Sequence, residues 1–306
     1  MRMWVVLMVL MLAGCGGVLK KRVRMDVPPT YSVAKTASLE QLVELVNKHY
    51  AAINSLSVSD LKLKFQSHSK AGKYTDEYKS ANGYFVAQEP NSIYINILNP
   101  LTKSTLAAMA AHGQEFQMWI PRENKYFKGE TDVYFEGKDP LYNVRPQHFL
   151  NGIMVEKIPA YGSQQHYFLE EVVDSRFQYY VIGIVGVERD SSVVELIRKL
   201  WIERSTLHLV KQHYYKSGEL ISAIDYNGIV EMGGFFINTT INIHRKREGY
   251  SILLKLARKG IKLNPPIREG TFRIVQPPGS ILEMIGSTRS NQIMAKKDFF
   301  TVFASR

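Results

Sequence analysis

A chain that makes or breaks bonds needs convergent polar residues, and the candidates here are one cysteine, eight histidines and the carboxylates. None falls in a catalytic spacing. There is no Gly-x-Ser-x-Gly nucleophile elbow, and no His-Glu-x-x-His, Walker loop or Cys-x-x-Cys. His208 and His213 are five apart, which within a regular strand puts them on opposite faces. A lone histidine is more commonly an ordinary surface or core side chain than a ligand. Asp174 and Asp225 fall near the ends of predicted strands, where turn chemistry accounts for them. The reading is therefore not an enzyme: no catalytic residue, no metal site and no cofactor is expected.

Cys15 stands apart because of what precedes it. Met1-Arg2-Met3 is a short positive start, an unbroken apolar run extends from Trp4 to Leu12, and Ala13-Gly14 are small. Those are the marks of a secretion signal over residues 1–14. The run is shorter than the ~20 apolar residues of a spanning helix. Leu12-Ala13-Gly14-Cys15 resembles the lipobox of bacterial lipoproteins. That resemblance implies cleavage before Cys15, a thioether-linked diacylglycerol on its sulfur and an acylated amino group. With its one thiol consumed, the chain can form no disulfide, and burial alone must hold the fold. Two acyl chains give stable attachment where one gives only marginal binding. By resemblance to the Gram-negative sorting rule, Gly16 implies the outer membrane, with the body on its periplasmic face.

The net charge is +11. For an anchored chain, the partner of that charge is expected to be a phosphate-bearing lipid surface; nucleic acid, the usual guess for a basic cytosolic protein, is not expected. Residues 15–37 read as anchor and tether, with Lys20, Lys21, Arg22 and Arg24 near the lipid, then Pro28-Pro29. The basic cluster fits either a lipid contact or a solvated linker.

Stepping outward from these residues, Ser38 to Ile53 has the period of a helix. Ser38 and Gln41 stand at capping-box spacing. Leu39, Leu42, Val43, Val46, Tyr50 and Ile53 share one face, which must lie on something. The period then changes to two in Leu61-Lys62-Leu63-Lys64-Phe65-Gln66. Strands are expected over 83–87, 92–98, 104–111, 115–121 and 125–127, and a short helix over Gln147 to Met154. More strands follow over 166–173, 177–187, 194–203, 208–215, 220–226, 235–245 and 250–257. Phe272-Arg273-Ile274-Val275 precedes Gln276-Pro277-Pro278-Gly279, Ser280 to Ile285 reads as a short amphipathic piece, and 287–306 as a polar and basic tail. Many short strands with few helices predict a mainly β (α+β) chain built on one large antiparallel sheet, curled or closed.

The apolar inventory adds one site. Ile95 and Ile97, then Met109, Phe116, Met118 and Ile120, extend an apolar surface across neighbouring strands. Methionine fills irregular space, so these residues could line a hollow for flexible acyl chains. A helix packed over them would make the same residues plain core.

This order of elements resembles the LolA/LolB lipoprotein-carrier superfamily. The likeness covers most of 38–286, and its most motif-like part is Ile97-Leu98-Asn99-Pro100-Leu101-Thr102-Lys103-Ser104-Thr105-Leu106, followed by Gly113 and Phe116-Gln117-Met118-Trp119. Gly270-Thr271-Phe272-Arg273-Ile274-Val275-Gln276-Pro277-Pro278-Gly279 resembles the closing strand and Pro-x-Gly end of the same fold, which implies a strand over Phe272 to Val275. The resemblance implies an incomplete β-barrel over 38–286, with a few helices covering its open side and an apolar hollow between. It further implies transfer of acylated lipoproteins, received from a soluble periplasmic carrier, by a monomeric outer-membrane lipoprotein. Leu101 matches the protruding loop residue that helps deliver cargo lipid to the membrane; folding back onto the barrel rim is its other possible placement. The alternative function is a structural or interaction lipoprotein of the envelope, with a filled barrel and no lipid cargo.

Overall fold

The computed structural model describes residues 33–68, 74–77, 81–131, 133–134, 140–160, 165–174, 177–187 and 194–285. The signal segment, Cys15, the tether before Val33 and the tail 287–306 lie outside the described residues.

Among the described residues sixteen strands form one sheet. In chain order they are β1 (Ser55–His68), β2 (Tyr74–Glu77), β3 (Ala81–Gln88), β4 (Ser92–Leu98), β5 (Thr105–His112), β6 (Glu115–Ile120), β7 (Lys125–Glu130) and β8 (Gln165–Asp174). Then come β9 (Phe177–Val187), β10 (Val194–Glu203), β11 (His208–Lys216), β12 (Glu219–Met232), β13 (Phe235–Arg245), β14 (Tyr250–Leu256), β15 (Ile261–Leu263) and β16 (Ile281–Ile285). Their spatial order is β16-β7-β6-β5-β4-β3-β1-β14-β13-β12-β11-β10-β9-β8, with β2 and β15 also paired to β1. The end strands β16 and β8 do not meet, so the sheet curls into an incomplete barrel.

Alternation decides which face turns inward. β3 buries Ala81, Gly83, Phe85 and Ala87 while its intervening residues stay half-exposed. A period of two on a pleated strand produces one buried and one wetter face.

Helix α1 (Leu39–His49) starts on the expected capping box. The Gln41 amide donates to Ser38 Oγ at 3.4 Å, and the Ser38 amide donates to Gln41 Oε1 at 2.9 Å. Two of the donors a helix start leaves unpaired are thus satisfied. Leu42 and Val46 are fully buried, and α1 packs on β13. The helix ends four residues before the expected Ile53, yet Tyr50 and Ile53 remain buried. The Tyr50 hydroxyl accepts from the Leu209 amide at 3.0 Å, which ties this end to β11. Asn47 exchanges two hydrogen bonds with the backbone of Ile158, at 3.0 and 2.8 Å, so the segment after the second helix is pinned to α1.

Helix α2 (Pro146–Ile153) begins with proline at its first position, where no amide partner is lost. It packs on β4, β5 and β13, burying Phe149 and Leu150. Gly152 permits this approach, since a β-carbon there would lie 2.5 Å from Ile243 Cδ1.

Several expectations need correction. The sheet is mixed rather than wholly antiparallel, because β16 runs parallel to β7. Ser280 to Ile285, read as an amphipathic piece, contains that strand. Phe272 to Val275 is not a strand: the Ile274 amide donates to Gln117 Oε1 at 2.6 Å, and the Ile274 carbonyl accepts from the Tyr126 hydroxyl at 2.9 Å. Side chains meet the hydrogen-bonding groups that a neighbouring strand would otherwise have met. β1 starts at Ser55 rather than Leu61, and β2 and β15 have no counterpart in the sequence reading.

Candidate lipid-contact sites

The inward face has a continuous apolar row. Register pairs run Val58–Phe85, Phe85–Ile95, Ile95–Met109, Met109–Met118 and Met118–Phe127, crossing β1, β3, β4, β5, β6 and β7. Ile97 and Ile120 flank that row, and Phe116 lies in the next one, opposite Ala111 and Gly129. All of the proposed hollow residues therefore share one face. Ile95, Ile97, Met109, Phe116, Met118 and Ile120 are each between 0% and 5% exposed.

What covers them is chiefly α2. Phe149, Leu150 and Met154 join the same apolar core. Below the C-terminal ends of α1 and α2 the core keeps a void of about 20 Å³ beside Ile153, Met154, Phe236 and Ile237. That is roughly the room one water needs. An acyl chain would need α2 displaced.

Polar groups also hold α2 in place. Arg145, at its start, lies 4.9 Å from the Phe116 ring and donates to the carbonyls of Val144 and Val133, at 2.9 and 3.0 Å. Burial lowers the Arg145 pKa to about 10. His148 shares a short hydrogen bond with the Tyr250 hydroxyl of β14. Burial, then the charges of Arg245 and Arg145, hold the imidazole well below its usual pKa. Burial pushes the Tyr250 phenol up. Beside them, Arg245 and Glu248 form a buried bidentate pair at 2.5 and 3.1 Å. None of these groups was singled out in the sequence, because they come from elements far apart in the chain.

Leu101 sits at the tip of the β4–β5 turn and is 84% exposed. The turn is ordered from within: Asn99 Oδ1 accepts from the amides of Leu101 and Thr102, at 2.8 and 3.0 Å. Asn99 also exchanges backbone hydrogen bonds with Lys103 and Ser104. Lys103 takes a left-handed φ of 59° to complete the turn. An apolar side chain is thus held away from the barrel.

On the outward face, an open cleft of about 780 Å³ lies between β5–β7 and the crossing segment near Arg268 and Arg273. Its walls mix the polar side chains of His112, Glu115, Gln117, Lys128 and Glu269 with Ala110, Ile267 and Phe272.

The outward face also aligns Ser251, His244 and Asp225 on β14, β13 and β12. Ser251 Oγ is 2.8 Å from His244 Nδ1, and His244 Nε2 is 3.5 Å from Asp225 Oδ2. The order is that of a nucleophile relay, but His244 Nε2 lies closer to Asn242 Nδ2, at 2.8 Å, and Ser251 is 2% exposed. Asp225 lies inside β12, not at its end as the sequence suggested. His208 and His213 share the outward face rather than opposing ones. A bulge in β11, where Trp201 pairs with Lys211 and Ile202 with Leu209, shifts the alternation by one residue. Among the described residues no group of three or more His, Cys, Asp or Glu side chains could hold a metal ion.

No protein-family model matches the chain, and no curated protein matches it. Solved structures do. The fold is similar to the LolA superfamily protein NE2245 from Nitrosomonas europaea, at 14% identity and TM-score 0.47, over 78% of this chain and 99% of that one. It is similar to a DUF1329 family protein from Desulfovibrio piger, at 12% identity and TM-score 0.49, over 78% and 98%. A putative outer membrane lipoprotein-sorting protein domain from Vibrio parahaemolyticus matches at 9% identity and TM-score 0.45, over 75% and 95%. At such identities no residue's role passes from those proteins to this chain.

Proposed function

We propose that this chain is a lipid-anchored, lipid-handling protein of the bacterial outer membrane. Cys15 carries the anchor on the periplasmic face. The inward apolar row accepts acyl chains, including those of lipoproteins delivered by a soluble periplasmic carrier, and Leu101 touches the membrane during transfer. The observation that carries this reading is the cover over the row: an eight-residue helix, α2, rather than a second sheet. Helices this short are marginal on their own, so α2 owes its form to the contacts below it. A hydrocarbon chain could replace the contacts of Phe149, Leu150 and Met154. Burying apolar area gains about 25 cal/mol per Å² whichever group supplies it. Transfer then needs no bond making, only surfaces of differing affinity.

The experiment is native mass spectrometry of the chain with lipid extraction, together with titration of a fluorescent fatty-acyl probe. A bound phospholipid or acylated peptide, or saturable probe binding, supports the reading. A clean apo mass and no probe binding would sink it.

The second reading, a structural envelope lipoprotein with a filled barrel, is favoured by one observation. The inward row is already buried, with Ile95, Ile97, Met109, Phe116, Met118 and Ile120 each 5% exposed or less.

A further inference from the structure

Strand register sorts the turns of this sheet into two ends. The end that carries Leu101 also carries the β6–β7 turn at 121–124, the β11–β12 turn at 217–218 and the β13–β14 turn at 246–249. Exposed cations decorate every one of these turns: Lys103 beside Leu101, Arg122, Lys216, and the pair Lys246 and Arg247. Among the described residues of these turns, acidic relief is small. Glu248 is buried in its pair with Arg245, Glu123 is mostly covered beside Lys125, and Glu219 alone among these turn carboxylates is exposed. Arg247 is held in position, stacked 4.3 Å from the Tyr134 ring. At the opposite end the exposed charges are mixed, with Glu115, Glu130 and Glu231 accompanying Arg258 and Lys259.

From this we infer that the Leu101 end of the barrel is a docking surface for an anionic phospholipid bilayer, with Lys103, Arg122, Lys216, Lys246 and Arg247 forming a basic rim around the apolar tip. The inference deepens the lipid-handling reading and rests on its assignment of Leu101 to the membrane. The physics is that of two signals acting together. A single exposed leucine buries little area, and each cation near an anionic surface adds attraction that decays within a Debye length. The curl of the sheet gathers turns from strands far apart in sequence onto one ring, so several cations can face one plane.

The test uses the chain from Gly16 onward, so that neither the apolar signal run nor an acyl group contributes, in sedimentation with phosphatidylcholine vesicles with and without phosphatidylglycerol. A rim variant replaces Lys103, Arg122, Lys216, Lys246 and Arg247 by Gln. A control replaces Arg258 and Lys259 by Gln at the other end, and circular dichroism confirms that both fold. The rim variant is expected to lose about tenfold or more in affinity for the phosphatidylglycerol vesicles, with the control within about twofold of the parent. Rim and control variants that bind these vesicles equally well overturn the inference. The reading beneath it is tested separately: Leu101→Glu should weaken binding to pure phosphatidylcholine vesicles. Unchanged binding there overturns the role of Leu101, while the rim result still reports on charge.

Discussion

His148 of α2 and Tyr250 of β14 are joined by a buried hydrogen bond between a ring nitrogen and the phenol, and it fastens the covering helix to the sheet beneath. The burial of His148 makes the fold sensitive to acid. His148 is held neutral in the folded chain by burial and by Arg245 and Arg145, whereas the unfolded chain takes up a proton near pH 6.5. The unfolded state therefore binds more protons below that pH, and stability falls as pH drops from about 6.5. His148→Gln should lose less thermal midpoint between pH 7 and pH 5 than the parent does. Equal slopes in the two proteins would show that His148 is not the titrating group.

Glu89 has the opposite sign. Burial, then the charge of Glu156, raises its carboxyl to about 7, with Arg198 opposing. The folded state holds the proton that the unfolded chain releases near pH 4.5, so this site costs stability as pH rises from about 4.5 to about 7. Glu89→Gln should match the parent in urea midpoint at pH 4 and exceed it at pH 8. A variant less stable at pH 8 would contradict this.

Gly152 determines how closely α2 approaches β13. A side chain there meets Ile243 Cδ1 and Cγ1 at 2.5 and 2.8 Å from its first carbon. Gly152→Val should cost about 1–3 kcal/mol through overpacking. If α2 is the gate, stopped-flow mixing with a fatty-acyl probe should show faster uptake than in the parent. Uptake that stays the same despite a lowered urea midpoint would place the gate elsewhere.

Met118 is core in the closed molecule, so a charge there would unfold the sheet rather than report on binding. Met118→Ala is the informative change. It should cost about 2–5 kcal/mol in denaturant titration, and acyl-probe affinity should hold or rise because the cavity offers room. Abolished affinity in a folded variant would overturn this expectation and show that the bound chain needs the Met118 side chain as a contact.

Leu101→Glu should leave the urea midpoint within about 0.5 kcal/mol of the parent, as expected for an exposed tip. Acyl-probe binding should also be unchanged, while delivery of bound probe to vesicles slows. A large stability loss would mean that Leu101 packs against the barrel in solution.

Much of this fold could be read locally. The Ser38–Gln41 capping box, the stripe of Leu42, Val46 and Tyr50, and the alternation of Leu61, Leu63 and Phe65 in β1 follow from short-range periodicity and survive in the structure. Phe272 to Val275 shows the limit of such reading. It alternates like a strand, but Gln117 and Tyr126 satisfy its backbone, and those partners lie far upstream. β16 shows the converse, a short segment made a strand only by its parallel pairing with β7.

By itself, the sequence determined that this chain has no familiar catalytic spacing, a signal-like start ending at its one cysteine, and a sheet with one apolar face. Only the tertiary structure decided whether that face is hollow or core, because the answer depends on how closely Gly152 lets α2 seat upon it. It also decided that His208 and His213 share a face, since one bulge in β11 reverses the alternation that spacing alone would dictate. The basic rim around Leu101 is tertiary too: its charges lie in separate turns, and the register of the sheet brings them to one end. Periodicity acts over a few residues, whereas closure of a curled sheet is set by pairings between residues far apart in the chain.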